Sequence, residues 1–402
     1  MRSPIAPMRQ SARFFESRLS DVQDPIIPRV QAWVLENPGT ISLGQGIVSY
    51  GPPPEALQAL ADFGRVASDH RYGPVKGDPE LISLLTQKLR EENGLTLGPE
   101  QAVFVSAGSN MAFFEILLAI TVPGDEILLP VPFYFNQEMA IRMFGCTPVP
   151  VATNQDFSID YEAMVRAITP KTRAIVTVSP NNPSGQVYRE ADLRAVNQLC
   201  REHGLFHLSD EAYEYFTWGE RPHFSPASIP GAEGCTVGFY SLSKTFGFAG
   251  WRLGYMVVPV NLVPELIKIQ DTNLICPPRP SQWAAIGALT VGRSYFDQHA
   301  QVLIRLRDEV LTALSSLGPL LRRLPQAEGA FYVFLDVDTT LTGLTLAERL
   351  ALEHGVAVVP GEAFGMHVGC YLRVAYGAPD PETVREGVRR LVAGIRAICE
   401  RP

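Results

Sequence analysis

Short apolar runs alternate with helical patterns along most of the chain, from about residue 54 to about residue 295. This alternation is typical of parallel βαβ units, whose helices cover both faces of one sheet. The predicted strands are apolar runs that end in small, polar or turn-forming residues, at 103–106, 126–129, 172–178, 205–209 and 236–241. The predicted helices between them lie at 110–121, 135–144, 160–168 and 190–203. We therefore expect an α/β fold with a mostly parallel sheet flanked by helices.

The pattern changes after about residue 281, where a long helical region at 281–317 begins. The elements predicted beyond it are a strand at 330–337, a helix at 344–354, strands at 356–358 and 371–374, and a helix at 381–398. This order indicates a smaller α+β domain. A chain of 402 residues exceeds the ~250 to 300 residues at which single cores stop growing, so two domains are expected. We predict a large domain at 48–290, a small C-terminal domain at 291–402, and a segment at 1–47 that packs on the small domain or on a second subunit.

The composition favours a globular protein whose partner is a small molecule. Hydrophobic residues make up 46% of the chain and charged residues 19%, which is the range of soluble globular proteins. The net charge of −8 arises from mixed signs without a long basic stretch, so neither nucleic acid nor an anionic membrane is expected as a partner. The longest apolar stretch, at 112–122, falls short of the ~20 residues that cross a bilayer and predicts a buried helix.

The cysteines and histidines predict neither disulfides nor a metal site. The six cysteines are scattered and form no CxxC pair, which indicates reduced thiols and a cytoplasmic location. The seven histidines are dispersed without metal-ligand spacing. Residues 1–23 contain four arginines, but Glu16 and Asp21 disfavour a transit peptide, and we predict an ordinary surface helix at 9–19 instead.

Polar clusters follow four of the predicted strands. In an open α/β sheet, reactive groups collect beyond the carboxyl ends of the strands. The clusters lie at 106–110, 179–185, 209–213 and 241–244. Since four clusters at four strand ends are unlike a chance arrangement, we predict one functional site that they share.

The cluster at 241–244 ends in Lys244, which stands eight residues before Arg252. A phosphate would suit Ser241 and Arg252, while Lys244 would be free to condense with a carbonyl group. If the ligand that supplies this carbonyl group also has a pyridinium ring, the positive charges of the ring and of Arg252 disfavour the charged form of Lys244. The amine is then a better nucleophile and base. The alternative for Lys244 is a solvated surface lysine without a catalytic role.

Asp210 follows a predicted buried strand, where a carboxylate needs a cationic partner. A protonated pyridine nitrogen is such a partner, and the pairing keeps the ring able to withdraw electrons. Tyr213 and Asn182 could then donate to the phenolate oxygen of the same ring. Asp210 could instead cap the next turn, and the segment at 181–185 is by composition a turn.

The cluster at 106–110 precedes an apolar helix. The backbone amides around Gly108, Ser109 and Asn110 would lie at the positive end of the helix dipole, where a phosphate binds well. A helix cap without a ligand remains the alternative for this segment.

With these residues in this order, the chain resembles the class I/II aminotransferases of the fold-type I pyridoxal-5′-phosphate (PLP) enzymes. The matching segments are 43–46, 72–77, 106–112, 132–134, 181–185, 210–213, 241–244, Arg252 and 371–373. The resemblance implies a fold-type I architecture, in which a large domain with a mixed, mostly parallel sheet is joined to a smaller α+β domain. It also implies PLP as the cofactor and a homodimer as the assembly.

The resemblance assigns roles to individual positions. Lys244 would be the Schiff-base lysine and proton shuttle, Asp210 would pair with the pyridine nitrogen, and Tyr134 would stack on the ring. The phenolate oxygen would be bound by Asn182 and Tyr213. The phosphate would be bound by Gly108, Ser109, Asn110, Ser241 and Arg252, with Tyr72 reaching in from a second subunit. The substrate α-carboxylate would be held by Arg373, helped by Asn182 and the backbone near Gly46.

Departures of the chain from the family pattern bear on the substrate. Bacterial aspartate-specific relatives often place a lysine where Asn110 stands, so its absence argues against an aspartate specialist of that kind. The residues at 46–49 replace the Gly-x-Pro-Asp that the family often shows, and Ser184 stands where threonine is usual. An uncharged or aromatic substrate side chain could be lined by Ile47, Tyr50 and Phe364.

The activity that the resemblance implies is the transfer of an amino group between an L-amino acid and a 2-oxo acid. A carbon–sulfur β-lyase or an enzyme that forms aminocyclopropane carboxylate would use the same motifs, so these alternatives stay open. A PLP-binding regulatory protein is disfavoured because only about 50 residues precede the first βα units, without a basic helix-turn-helix pattern. A nicotinamide dehydrogenase is disfavoured because no G-x-G-x-x-G follows an early strand.

Overall fold

The computed structural model describes residues 17–378 and 380–400 of the chain. The strands are β1 (Ile41–Ser42), β2 (Gln101–Ser106), β3 (Glu126–Pro130), β4 (Thr147–Val151), β5 (Thr172–Val178), β6 (Phe206–Asp210), β7 (Thr236–Ser241), β8 (Gly254–Pro259), β9 (Tyr332–Val337), β10 (Val356–Ala357), β11 (Val359–Pro360) and β12 (Cys370–Ala375). The α-helices are α1 (Ile26–Glu36), α2 (Pro54–Asp62), α3 (Pro79–Glu92), α4 (Ser109–Ile120), α5 (Phe135–Met143), α6 (Tyr161–Ala167), α7 (Glu190–His203), α8 (Leu242–Thr245), α9 (Val263–Asn273), α10 (Arg279–Val291), α11 (Arg293–Ser315), α12 (Gly343–His354) and α13 (Pro381–Cys399). No helix in this described part of the chain combines the length and the apolar character needed to cross a membrane.

The strands β2 to β8 form one central sheet in the order β2-β8-β7-β6-β5-β3-β4. β8 runs antiparallel to both of its neighbours, β2 and β7. The other neighbouring strands of this sheet run parallel to each other. The predicted mixed, mostly parallel sheet flanked by helices is therefore confirmed.

Alternate side chains of the central strands enter cores on opposite faces of the sheet. On β2, Phe104 packs into the core that contains α4, whereas Val103 and Val105 pack into the core that contains α3. On β5, Val176 packs with α4 and Ile175 packs with α7. Because successive side chains of a strand point to opposite faces, an apolar run buries both faces at once. The apolar stretch at 112–122 falls mainly in α4, which buries six of its twelve residues.

Helix α7 shows why the helical prediction succeeded at 190–203. Its buried residues Leu193, Val196 and Cys200 recur at intervals of three and four, so they share one face of the helix. Acidic residues occupy the first turn, where they complement the helix dipole. The helix ends at Gly204, whose φ of 66° is the left-handed conformation that glycine adopts without strain.

A second, smaller sheet has the antiparallel order β11-β12-β9, and α13 packs against both α11 and α12 beside it. The prediction for this region needs correction at two points. The helical region at 281–317 consists of two helices, because Gly292, with φ 61°, separates α10 from α11. The predicted strand at 356–358 corresponds to β10, which pairs with β1, and the next strand, β11, which pairs with β12, was not predicted.

The N-terminal elements lie against the C-terminal part of the chain. β1 pairs in parallel with β10, and α1 packs against α12. Trp33 and Leu43 are buried in the same core as Val356. The surface helix predicted at 9–19 lies mostly outside the described residues. The domain limits at 1–47, 48–290 and 291–402 stay a prediction.

Candidate active site

The register of the central sheet brings the four polar clusters to one edge. Ser106 at the end of β2 and Ser241 at the end of β7 both pair with Gly254 at the start of β8. Val178 at the end of β5 pairs with Asp210 at the end of β6. A cavity of about 210 Å³ opens at this edge. The clusters that the sequence placed at separate strand ends therefore meet at one cavity.

Most of the predicted site residues line this cavity. They are Gly46, Ser109, Asn110, Tyr134, Asn182, Asp210, Tyr213, Ser241, Lys244, Arg252 and Arg373. Gly108 lies next to them, since a β-carbon at this position would collide with the guanidinium of Arg252. Its φ of 89° also requires glycine. Tyr72 does not line the cavity and is 77% exposed.

Lys244 lies on the short helix α8, which begins after Ser241. The hydroxyl of Ser241 accepts a hydrogen bond from the amide of Ser243 and so caps this helix. The Lys244 Nζ atom donates to the carbonyl oxygen of Gly46 at 2.5 Å. Burial lowers the pKa of Lys244 to about 8. The neutral amine, which acts as nucleophile or base, is therefore far more populated near neutral pH than in an ordinary lysine.

The positive charges around Lys244 act in the same direction as its burial. Arg373 and Arg252 both lower the pKa of the amine, and the carboxylate of Asp210 opposes them. Tyr50 contacts the same lysine from the backbone side, because its hydroxyl donates to the Lys244 carbonyl oxygen at 3.0 Å. Lys244 is thus held at its backbone while its amine faces the cavity.

Asp210 is buried at the end of β6, where it receives two hydrogen bonds. The side-chain amide of Gln137 donates to Oδ2 at 2.8 Å, and the backbone amide of Ala212 donates to Oδ1 at 3.2 Å. Burial raises the pKa of Asp210 to about 6, although Lys244 opposes this shift. Sequence reasoning missed Gln137. Its only signal was a polar residue on a helix face that packs against the sheet.

The N-terminus of α4 and Arg252 form the anion-binding side of the cavity. Gly108 is the N-cap of α4, whose first residues, Ser109 and Asn110, line the cavity. The first backbone amides of a helix have no partner within the helix, so they attract an anion. Arg252, which lies two residues before β8, contributes a guanidinium to the cavity and is exposed enough to bind a ligand.

Arg373 is almost fully buried on β12, with 2% of its surface exposed. One terminal nitrogen donates to the side-chain oxygen of Asn182 at 2.8 Å, and the other donates to the carbonyl of Gly44 at 2.7 Å. The guanidinium lies 4.6 Å from the Tyr332 ring centroid and 5.2 Å from that of Phe364. Its Nε atom has no hydrogen-bond partner among the described residues. A buried, incompletely paired guanidinium suits a carboxylate ligand.

Tyr332 is the most informative residue that the sequence reasoning missed. Its hydroxyl lies 2.7 Å from that of Tyr213, and the side-chain amide of Asn182 donates to Tyr213 at 3.4 Å. Burial raises the pKa of both tyrosines, that of Tyr332 to about 12, so both stay protonated. A tyrosine inside the predicted strand at 330–337 was a usable signal, because a buried hydroxyl needs a partner.

The predicted side-chain pocket is only partly present. Ile47 lines the cavity, together with Ile27 of α1, which the sequence reasoning missed. Tyr50 does not line it, and its ring is stacked on His299 at 4.0 Å between centroids. Phe364 is fully buried beneath Arg373 and does not reach the cavity either.

Comparison with known proteins identifies the family. The model of the family "Aminotransferase class I and II" matches residues 38–391. The chain is 34% identical to an aspartate aminotransferase of Pyrococcus abyssi, with 89% of this chain and 92% of that protein covered. It is 33% identical to the aromatic aminotransferase ISS1 of Arabidopsis thaliana, with 93% and 94% covered.

Solved structures agree with this assignment. The aspartate aminotransferase of Thermus thermophilus with maleate superposes with a TM-score of 0.86 at 32% identity, covering 94% of this chain and 98% of that one. The aromatic aminotransferase of Pyrococcus horikoshii superposes with a TM-score of 0.83 at 32% identity, covering 92% and 99%. The predicted family resemblance and fold-type I architecture are therefore confirmed. The chain belongs to the class I and II aminotransferases.

Proposed function

We propose that the protein transfers the amino group of an L-amino acid with an uncharged or aromatic side chain to a 2-oxo acid, with PLP bound to Lys244 as a Schiff base. The observation that carries the proposal is the shared cavity of Lys244 and Arg373. One supplies a buried amine of lowered pKa, and the other supplies a buried guanidinium for a carboxylate. An α-amino acid presents both complementary groups on one carbon.

The residues around Lys244 fit the parts of PLP. The carboxylate of Asp210, which Gln137 and Ala212 hold by hydrogen bonds, suits a protonated ring nitrogen. Tyr213 and Asn182 would bind the phenolate oxygen, and Tyr134 would stack on the ring. The phosphate would be bound by Gly108, Ser109, Asn110, Ser241 and Arg252. When bound, PLP supplies the carbon that carries the amino group and a ring that withdraws electrons from the substrate α-carbon.

The side chains of the cavity then divide the work of the reaction. Arg373 binds the α-carboxylate of the substrate and so fixes the α-carbon in the cavity that Lys244 lines. The Nζ atom of Lys244 removes the α-proton and holds it for its later return, which a pKa of about 8 allows in both directions. Asp210 would pair with the ring nitrogen of bound PLP, and this pairing would favour the charged form of its carboxylate.

The lining of the cavity supports an uncharged substrate side chain. Ile27 and Ile47 give it an apolar part. Among the described lining residues, the cationic side chains are those of Lys244, Arg252 and Arg373, and each already has a role. No further cation is available there for the distal carboxylate of a dicarboxylic substrate, and Asn110 is neutral.

We propose that the protein is a cytoplasmic homodimer, in which Tyr72 of one subunit reaches the phosphate of the PLP bound in the other subunit. The high exposure of Tyr72 leaves its side chain free to contact a second subunit, and tyrosine is enriched at protein interfaces. Reduced thiols agree with the cytoplasm, and the six cysteines, all in the described part of the chain, are unpaired.

The experiment that tests the proposal follows amino transfer by the PLP-loaded protein from a panel of L-amino acids to 2-oxobutanoate, an acceptor without a distal carboxylate. We expect phenylalanine, tyrosine or other uncharged donors to yield 2-aminobutanoate faster than aspartate does. The Lys244→Ala variant should show no turnover, and a surface variant such as Lys268→Ala should match the wild type. Release of pyruvate and ammonia from a sulfur amino acid, without formation of 2-aminobutanoate, would contradict amino transfer.

A further inference from the structure

A closed ring of contacts joins the residues that bind the substrate carboxylate and the cofactor phenolate oxygen in the proposed function. Arg373 donates to Asn182 at 2.8 Å, and Asn182 donates to the Tyr213 hydroxyl at 3.4 Å. The Tyr213 hydroxyl lies 2.7 Å from that of Tyr332. The ring of Tyr332 lies 4.6 Å beneath the Arg373 guanidinium, which closes the circuit. All four side chains are buried.

The positions of the two tyrosine hydroxyl protons in this circuit of four side chains can be assigned from hydrogen-bonding capacity. A tyrosine hydroxyl donates one hydrogen bond and accepts up to two. The hydroxyl of Tyr213 is the hydrogen-bond partner found for Tyr332 among the described residues. If Tyr332 donates to Tyr213, the Tyr213 oxygen accepts from both Tyr332 and Asn182. The proton of Tyr213 then has no acceptor among the four side chains of the circuit and is free to be donated to a ligand in the cavity.

The opposite arrangement would disable Tyr213. If Tyr213 donated to Tyr332, its single proton would be used and none would remain for the phenolate oxygen. The Arg373 guanidinium above the Tyr332 ring favours the first arrangement, because a nearby positive charge makes a phenol a stronger donor. Gly46 makes room for this geometry, since a β-carbon there would lie 2.7 Å from the Tyr332 hydroxyl oxygen.

We propose that Tyr332 is a positioning residue that donates to Tyr213 and thereby directs the Tyr213 proton toward the phenolate oxygen of the cofactor. Tyr332 has this role in addition to lining the cavity, and it acts through Tyr213. The inference rests on the proposed function, because it requires PLP on Lys244.

The test is a pH titration of the visible absorbance band of the PLP-loaded Tyr332→Phe variant. This change removes one hydroxyl and keeps the ring beneath Arg373. A donor to the phenolate oxygen draws away negative charge that otherwise stabilises the proton on the Lys244–cofactor nitrogen. In Tyr332→Phe, Tyr213 keeps its proton but no longer accepts from Tyr332, so it is a weaker donor to the phenolate oxygen. The midpoint of the titration should therefore rise by part of the about 0.5 to 1 on the pH scale that the loss of one whole hydrogen bond would give. Tyr213→Phe should raise it at least as far, and the double variant should show no further shift.

Two controls keep the outcome interpretable. Tyr376→Phe removes another fully buried hydroxyl, which contacts the carbonyl of Ala330 at 3.3 Å and does not line the cavity. This variant should titrate like the wild type. Tyr332→Met, which also lacks a hydroxyl, should reproduce the shift if Tyr332→Phe fails to fold.

The result that overturns the inference is a wild-type midpoint in the folded Tyr332 variants together with a shifted midpoint in Tyr213→Phe. Failure of the proposed function would look different. In that case the wild-type protein itself would show no visible band with added PLP.

Discussion

Arg373 donates a hydrogen bond to the side-chain oxygen of Asn182 at 2.8 Å, and this contact joins the two sheets of the molecule. Arg373 lies on β12 of the small sheet, whereas Asn182 follows β5 of the central sheet. A further bond to the carbonyl of Gly44 ties the N-terminal part of the chain to the same guanidinium. The position of the proposed carboxylate-binding group therefore depends on three separate parts of the chain.

Replacing Arg373 with lysine should weaken substrate binding while leaving the cofactor in place. A lysine keeps the charge but lacks the planar fork that binds a carboxylate through two parallel bonds. The loss of one charge-assisted hydrogen bond corresponds to a fall in kcat/KM of roughly 10- to 100-fold. Steady-state kinetics with the preferred amino acid would measure it, and Arg322→Lys, at an exposed arginine paired with Asp338, is the control. An unchanged KM would contradict the assignment of Arg373.

Asp210 should make the stability of the cofactor-free protein depend on pH. Burial raises its pKa from 3.8 to about 6, so the folded state keeps a proton that the unfolded state has already lost between these values. The contribution of Asp210 to stability is therefore complete below pH 4 and declines as the pH rises through 6. Because the pKa of Asp210 is about 2 higher in the folded state, the decline amounts to about 3 kcal/mol.

Asp210→Asn cannot ionise and should escape this loss. The free energy of unfolding of the cofactor-free variant, relative to the cofactor-free wild type, should rise by up to about 3 kcal/mol between pH 4 and pH 7. Denaturant titrations at several pH values would measure the difference. A difference that stays constant over this range would show that Asp210 has an ordinary pKa.

Asn110→Lys should shift the substrate preference toward dicarboxylic amino acids. The new ammonium group would lie at the cavity that Asn110 lines and would pair with a distal carboxylate. Because Asn110 is exposed, the gain should be modest, roughly fivefold in the ratio of kcat/KM for aspartate to that for phenylalanine. Asn110→Gln is the neutral control. If the ratio does not rise, the substrate side chain lies elsewhere in the cavity.

Mixing two impaired variants should test the role of Tyr72. In a hybrid dimer of Tyr72→Ala and Lys244→Ala subunits, one site would combine an intact Lys244 with an intact Tyr72 from the partner. Activity greater than the sum of the two separate variants should therefore appear after the subunits are exchanged. Mixing Lys244→Ala with Arg373→Ala is the control, because each subunit then lacks one residue of its own cavity and no intact site can form. If native mass spectrometry detects the hybrid dimer but activity does not rise, Tyr72 does not serve the partner's site.

Local pattern was sufficient for much of the central sheet. The strands at 172–178 and 236–241 and the helix at 190–203 have the predicted limits, because uninterrupted apolar runs or a regular apolar face mark them. β8 and β4 were not predicted. In β4, Pro148 and Pro150 interrupt the apolar run. Proline is tolerated there because β4 is an edge strand.

Local pattern predicted the site residues that stand at strand ends, whereas Arg373 and Tyr134 were predicted only from the family resemblance. Lys244, Asp210 and Asn182 were found because strand ends share one edge of the sheet. Tyr332 is 119 residues from its partner Tyr213, and Gln137 is 73 residues from Asp210. No local pattern relates residues so far apart in the chain, so only the folded structure reveals these contacts.

Reduction of the PLP-loaded protein with borohydride, followed by peptide mass analysis, tests the central claim most directly. Borohydride converts a Schiff base into a stable bond and so marks the lysine that carries the cofactor. We predict a pyridoxyl group on Lys244, and no specific label in Lys244→Ala. A label spread over surface lysines, or no label on the Lys244 peptide, would contradict the account.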